Sequence, residues 1–346
     1  MKKLFGIFLF LIFLPLATAV IFMLTLKFAL LNPAFLKSAL ERGNFYENVI
    51  SNSGYIVDAT FANQKDSQNF PFTAIEAQNI VAQAVPPAWL KAEVEKNIDG
   101  AVLWFGKSKE ELAIDLNLEL VKPAVLQAVL KLSEEKFNAL SVCNSKQLKN
   151  FGKENKFPEC KPKGYTYTKF KTEFLESTNS PLEFLDKIPE NVSLLPGGTL
   201  GQEGGFAQIK RMRDFVALAG NLLWGLAVIS MLVFLSAALL LRPRLRGSNQ
   251  PKPHSLLPTF AILGVVLGVF LTVFGFALKI IVKPLVFEPI LENTKGISPE
   301  FLRAVGDPVV NALLAGFGNR IWLISALIGV ASFGILIAGK LIARKA

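Results

Sequence analysis

Four stretches without a charged side chain limit what this chain can fold into: residues 4–26, 215–241, 256–278 and 321–339. Each is about the twenty residues needed to cross a hydrocarbon core of ~30 Å. Inside lipid every backbone N–H and C=O must be satisfied within its own segment, so such a stretch folds as a helix. The remaining sequence agrees: 51% of the 346 residues are hydrophobic, only 18% are charged, and the mean hydropathy is +0.42. The expected fold class is membrane all-α, with four transmembrane helices and a mainly helical extracytoplasmic domain, α with minor β.

The basic side chains set the expected orientation, because short segments rich in Lys and Arg stay on the cytoplasmic side. Arg242, Arg244, Arg246 and Lys252 crowd the short link between the second and third stretches, while Lys2, Lys3, Lys340, Arg344 and Lys345 flank the two ends. Both termini and that link are therefore expected in the cytoplasm, where the link could also dock a partner. Lys210, Arg211 and Arg213 oppose this, but they close a segment too long to be governed by local charge.

The expected organisation follows. Residues 1–31 form an uncleaved signal anchor and 32–195 an extracytoplasmic domain; 196–213 are a Gly-rich linker and juxtamembrane segment, and 214–241 the second span. A basic cytoplasmic loop occupies 242–255, the third span 256–280, a short extracytoplasmic segment 281–319, the fourth span 320–340 and a cytoplasmic tail 341–346. Ala17-Thr18-Ala19 resembles a cleavage site, yet a cut there would leave an apolar new terminus, which favours the anchor.

Between residues 32 and 210 there are 20 basic and 22 acidic side chains, a net charge of −2, whereas the whole chain carries +10. The excess sits at membrane edges, where anionic lipid headgroups account for it. The bilayer is thus the expected partner, and nucleic acid is not.

Within the large segment, Asn32-Pro33 caps a helix running to about Ile50. Thr73 to Glu76 has capping-box spacing. Leu90, Val94, Ile98, Val102 and Phe105 recur on one helical face. Ile114, Leu116, Leu118 and Leu120 alternate with polar residues, as in a half-buried strand, and a helix follows Pro123 to about Val142. The glycines of residues 194–206 read as a flexible joint. Ser298-Pro299 opens a helix that either lies on the membrane surface or packs under the large domain.

Chemistry is sparse. His254 is the sole histidine and lies in the basic loop, so a histidine-based zinc site or Ser-His-Asp relay in the large domain lacks its imidazole. Asp115, Asn117 and Glu119 could offer oxygens to calcium but complete no known loop, and a solvated strand face explains them. Glu93, Glu95 and Asp99 could be proposed as an acid–base pair, but positions 93 and 95 do not face each other on a helix, and the sequence does not show the burial needed to shift either pKa. No cofactor is expected, and no catalytic or metal-binding residue stands out. Cys143 and Cys160, the only cysteines, are expected to form a disulfide in an oxidising compartment. Gly264, Gly268 and Gly275 on the third span, with Ser325 and Gly329 on the fourth, form small-residue faces that let helices approach closely.

The stretch PPAWLKAEVEKNIDGAVLWFGKSKEELAIDLNLELVKP, followed by Cys143, resembles a segment of uncharacterised bacterial four-pass envelope proteins with a large extracytoplasmic domain between the first two spans. That resemblance implies a location and no activity. The order of spans is also similar to that of mechanotransmission-type ABC permease subunits, although those carry a longer cytoplasmic lead than Met1-Lys2-Lys3. Claudin-like proteins share the order, but their Trp and paired-Cys signature is missing from residues 32–70. Together these readings point to a non-enzymatic binding or scaffolding protein of the cell envelope, with a protein partner at the extracytoplasmic domain. The alternative is a permease-like subunit coupling a cytoplasmic ATPase to that domain.

Overall fold

The computed structural model describes residues 2–55, 72–106, 108, 112–148, 151, 157–175, 189–193, 203–241, 256–288 and 298–345. It is mostly helical, and four of its helices are long and apolar enough to cross a membrane. The polar segment between the first two of these is called the head below.

Helix α1 spans Lys2–Leu30. Asn32 then caps α2 (Pro33–Arg42), its side chain accepting from the Phe35 N–H at 3.2 Å, with Pro33 at the first helical position. The expected single helix to Ile50 is broken at Gly43-Asn44, and α3 (Phe45–Ser51) follows. Asn44 adopts φ 49°, in the left-handed region that Asn tolerates better than most residues.

The capping box forms: the Thr73 hydroxyl accepts from the Glu76 N–H at 3.3 Å and the Glu76 carboxylate accepts from the Thr73 N–H at 2.8 Å, opening α4 (Ala74–Ala84). Val85 and Pro86 separate it from α5 (Pro87–Phe105), where Trp104, only 2% exposed, is the buried anchor. The alternating stretch yields only β1 (Asp115–Asn117), because the chain turns at Leu118, whose carbonyl accepts from the Val121 and Lys122 N–H groups. Helix α6 (Val121–Ala139) therefore begins two residues before Pro123, which the first turn accommodates because its N–H groups have no intrahelical partner.

Beyond α6 lie one-turn helices α7 (Ser145–Leu148) and α8 (Tyr167–Phe170), the latter running into a wide π-type turn over Lys171–Leu175. Strand β2 (Asn191–Ser193) pairs antiparallel with β1, Leu116 opposite Val192.

The membrane helices are α1, α9 (Glu203–Leu241), α10 (Leu256–Val282, closed by a π-type turn over Lys283–Phe287) and α11 (Pro299–Lys345). α1 packs along α9 and α10 along α11. The pairs meet in one core, where Phe10, Phe13, Leu14 and Ala17 face Ala237 and Ala238 of α9 and Leu263, Leu267 and Leu271 of α10. Large apolar side chains such as Leu222, Val273 and Leu327 point outward, as expected of helices solvated by lipid.

Two junctions differ from the sequence reading. Residues 203–213 are helical and continuous with the second span, and residues 299–319 are continuous with the fourth. The glycine-rich residues 194–202 lie outside the described residues.

Candidate functional site

At 47 residues α11 is about 70 Å long and at 39 residues α9 is about 58 Å long, against a hydrocarbon thickness of ~30 Å. Both must therefore leave the lipid. Trp322, 62% exposed, lies at the head-side end of the charge-free stretch 321–339, the level at which aromatic side chains collect at a membrane interface. Counted from the charge-free stretches, α9 projects about 18 Å and α11 about 33 Å toward the head.

These projections are what the head grips. α2 and α3 pack against α11. The broken corner between them comes so close that a Cβ on Gly43 would lie 2.8 Å from both N and Cα of Val309. Eight residues earlier, Phe35 rests on Gly316, where a Cβ would meet its ring at 2.7 Å. The Phe35 ring also meets Phe317 edge to face at 6.0 Å, and the Arg320 guanidinium covers it at 4.3 Å. On α9, Arg213 covers the buried Trp104 ring at 4.6 Å. Cation–aromatic stacking of this kind contributes on the order of 1 kcal/mol when partly desolvated.

Charge ties the grip to the rest of the head. Lys37 of α2 reaches Asp99 at 2.8 Å and Glu95 at 3.8 Å on α5, and Lys91 pairs with Glu41 and, at 3.9 Å, with Glu95. Tyr46 is 3% exposed beneath this network. Burial pushes its hydroxyl up to about 12, and the nearby Glu95 and Glu41 carboxylates add to the shift. Glu93 accepts from the Asn117 N–H at 3.2 Å, and the Asn97 amide exchanges two hydrogen bonds with the backbone of Asp115, so α5 also holds β1. The carboxylates of Glu93, Glu95 and Asp99, weighed as acid and base, thus tie α5 to β1 and α2. Among the described residues no group of three acidic, His or Cys side chains is arranged to hold a metal.

The glycine and serine faces come together between α10 and α11. A Cβ on Gly264 would lie 2.1 Å from Ser332 Oγ, one on Gly268 3.3 Å from the Ser325 carbonyl and 3.8 Å from Gly329 Cα, and one on Gly275 3.2 Å from Ile321. The Ser325 hydroxyl donates to the Gly268 carbonyl at 2.5 Å, and Thr272 joins both. This seam lies within one chain. Between α1 and α9, Phe13, Val20, Ile21, Met231 and Phe234 line an open apolar groove of about 240 Å³. Its walls suit an acyl chain rather than a polar substrate.

Cys143 and Cys160 are joined, with Cα atoms 4.9 Å apart. The bridge lies beside paired backbone, Cys143 N–H donating to Lys161 O at 3.0 Å. It closes onto an aromatic core in which Phe137 stacks on Phe170 at 4.8 Å, Phe157 meets Phe170 edge to face, and Tyr167 donates to the Leu130 carbonyl at 2.7 Å. Arg242, Arg244, Arg246, Lys252 and His254 lie outside the described residues.

Sequence reasoning missed Tyr46, Asn97, Trp104 with Arg213, and Phe35 with Gly316 and Arg320. Each is a partnership between residues far apart in the chain, and only Gly316, with Gly318 in the same helical run, hinted at a close approach. No protein family, curated protein or solved structure matches the chain.

Proposed function

We propose that this chain is a non-enzymatic, four-pass protein of the cell envelope that holds a disulfide-braced helical domain outside the cytoplasm for binding or scaffolding. The observation that carries the reading is the fastening of the head: α11 runs unbroken from the lipid to the corner at Gly43, and the acidic residues of α5 are engaged in holding elements together. A domain built this way is a fixed platform. The disulfide favours an oxidising compartment for the head, and the basic link at Arg242, Arg244, Arg246 and Lys252 favours the cytoplasm for the opposite face. Purified full-length protein in lipid nanodiscs is expected to show no turnover traceable to a head side chain. A reaction abolished by replacing one carboxylate, for example Glu93→Gln or Asp99→Asn, would overturn the reading.

One observation favours a second reading. Two helices that pass from the lipid into the head are rigid levers, as a subunit transmitting force from a cytoplasmic ATPase would need. In that case the four basic residues of the link would dock the ATPase by charge. An ATPase that co-purifies with the wild type and is lost on replacing those residues by Gln supports force transmission, and its absence in both supports the fixed platform.

A further inference from the structure

The head is built in two tiers. α2, α3 and α5 form the tier that grips the membrane helices; α6 packs chiefly on α4 and α8, and α4 packs chiefly on α6 and α3. The disulfide, α7 and α8 therefore belong to the distal tier. This part of the sequence is the most basic of the head: residues 143–171 carry eight lysines, no arginine and two glutamates, whereas the rest of residues 32–210 carries 12 basic and 20 acidic side chains. Lys146, Lys161, Lys163, Lys169 and Lys171 are among the described residues.

Among the described residues of this lobe, Lys146, Lys163 and Lys169 are exposed. They lie on strands of chain held against one another: Val142 bridges Lys161 beside the disulfide, and the Phe151 ring meets Tyr165 edge to face at 5.3 Å. Lys161 is committed inward, donating to Asn138 O at 2.6 Å and covering Phe137, and Glu173 is bound to the Tyr165 hydroxyl. Of the two glutamates of residues 143–171, Glu159 is among the described residues and is exposed.

From this we infer that the disulfide-closed lobe of Lys146, Lys163 and Lys169 is a docking surface for a flexible, water-soluble polyanion carrying repeated phosphate or carboxylate groups. The all-lysine composition selects this partner. An ammonium on a four-carbon stem is a mobile point charge that follows a flexible chain of anions, whereas a shaped acidic pocket is met by the planar fork of arginine. The lobe's main packing is against α6 rather than against a membrane helix. The inference rests on the reading of the head as a binding domain, and it does not depend on which side of the membrane the head occupies.

The probe is fluorescent inorganic polyphosphate, titrated against the full chain in zwitterionic nanodiscs, where both faces are accessible. Affinity should fall steeply with salt, log K against log salt changing by about one unit of slope for each lysine engaged. The triple variant Lys146→Gln, Lys163→Gln, Lys169→Gln should weaken binding about tenfold or more and flatten the slope by about two to three. Lys96→Gln, an exposed control on the proximal tier, should change neither. Arg242→Gln, Arg244→Gln, Arg246→Gln measures what the basic link contributes to the same titration.

Unchanged binding in the lysine variant, or loss confined to the arginine variant, overturns the assignment, as does binding to anionic vesicles with none to polyphosphate. Turnover by a head carboxylate would instead sink the binding-domain reading while leaving this titration intact.

Discussion

Replacing Gly43 by Ala tests the grip of the head on α11 with one methyl group. Gly43 has φ −84°, so alanine brings no backbone strain. The added carbon would lie 2.8 Å from N and Cα of Val309 and 2.9 Å from its Cγ2. Backbone of a long helix cannot turn aside as a side chain does, so the corner must lift from α11 by several tenths of an ångström. Overpacking of this kind costs about 1–3 kcal/mol. Since every 1.4 kcal/mol is tenfold in an equilibrium constant, amide exchange in α2 and α3 should accelerate roughly five- to hundredfold if it proceeds by release of the corner. Hydrogen exchange read by mass spectrometry on nanodisc samples measures this. Val309→Ala should fail to rescue the variant, because it removes the side-chain contact and leaves the backbone in place. Gly225→Ala, where nothing lies within 4 Å of the added carbon, should leave α2 and α3 unchanged. Wild-type exchange in Gly43→Ala would refute the argument.

Three further outcomes follow from the geometry. Replacing Cys143 and Cys160 by Ser should cost the head about 3 kcal/mol, for a bridge spanning 17 residues, and lower its unfolding temperature; two free thiols in native protein would contradict the bridge. Burial alone would raise the Glu76 carboxyl, but the Lys136 ammonium at 2.7 Å and the Thr73 N–H and hydroxyl outweigh it and hold the group below the usual carboxylate range. Its folded form thus binds its proton less readily than the unfolded chain does, so its contribution is full above the ordinary carboxylate range and disappears as pH falls through the depressed value. Glu76→Gln should flatten part of the acid-induced fall in head stability, and a parallel melting-temperature profile from pH 7 to about 3 would refute that. Gly264→Val should separate α10 from α11 at Ser332, costing about 1–3 kcal/mol in detergent stability, and an unaltered melting curve would show that the seam has room for the added side chain.

The membrane helices were legible because lipid imposes one demand over twenty residues, and a missing charge is visible at each of them. The capping box at Thr73 and the proline start at Pro33 were legible for the same reason: a local backbone need is met by a residue three positions away. The strand was harder. Period-two alternation ran from Ile114 to Leu120, but only three residues found a partner, because β2 lies over seventy residues downstream and nothing local announces it. The helix expected from Pro33 to about Ile50 is broken where Asn44 turns left-handed, beside the approach of Gly43 to Val309, and the apolar periodicity that continues across this corner hid it. The projection of α9 was hidden by glycine, which reads locally as a joint, while the helix opening at Pro299 was legible but its continuity with the fourth span was not. Gly204 and Gly205 are nevertheless helical, and Pro308 lies within α11 beside the Lys283–Asp307 pair at 3.1 Å.

The most direct test of the account is the side of the membrane on which the head lies. The two cysteines are paired and no free cysteine is present among the described residues, so one introduced thiol reports one position. In intact cells a membrane-impermeant maleimide should label Lys131→Cys on the exposed face of α6 and spare Ser248→Cys in the basic link until the membrane is opened. Labelling of Ser248→Cys with protection of Lys131→Cys would invert the protein and contradict the account.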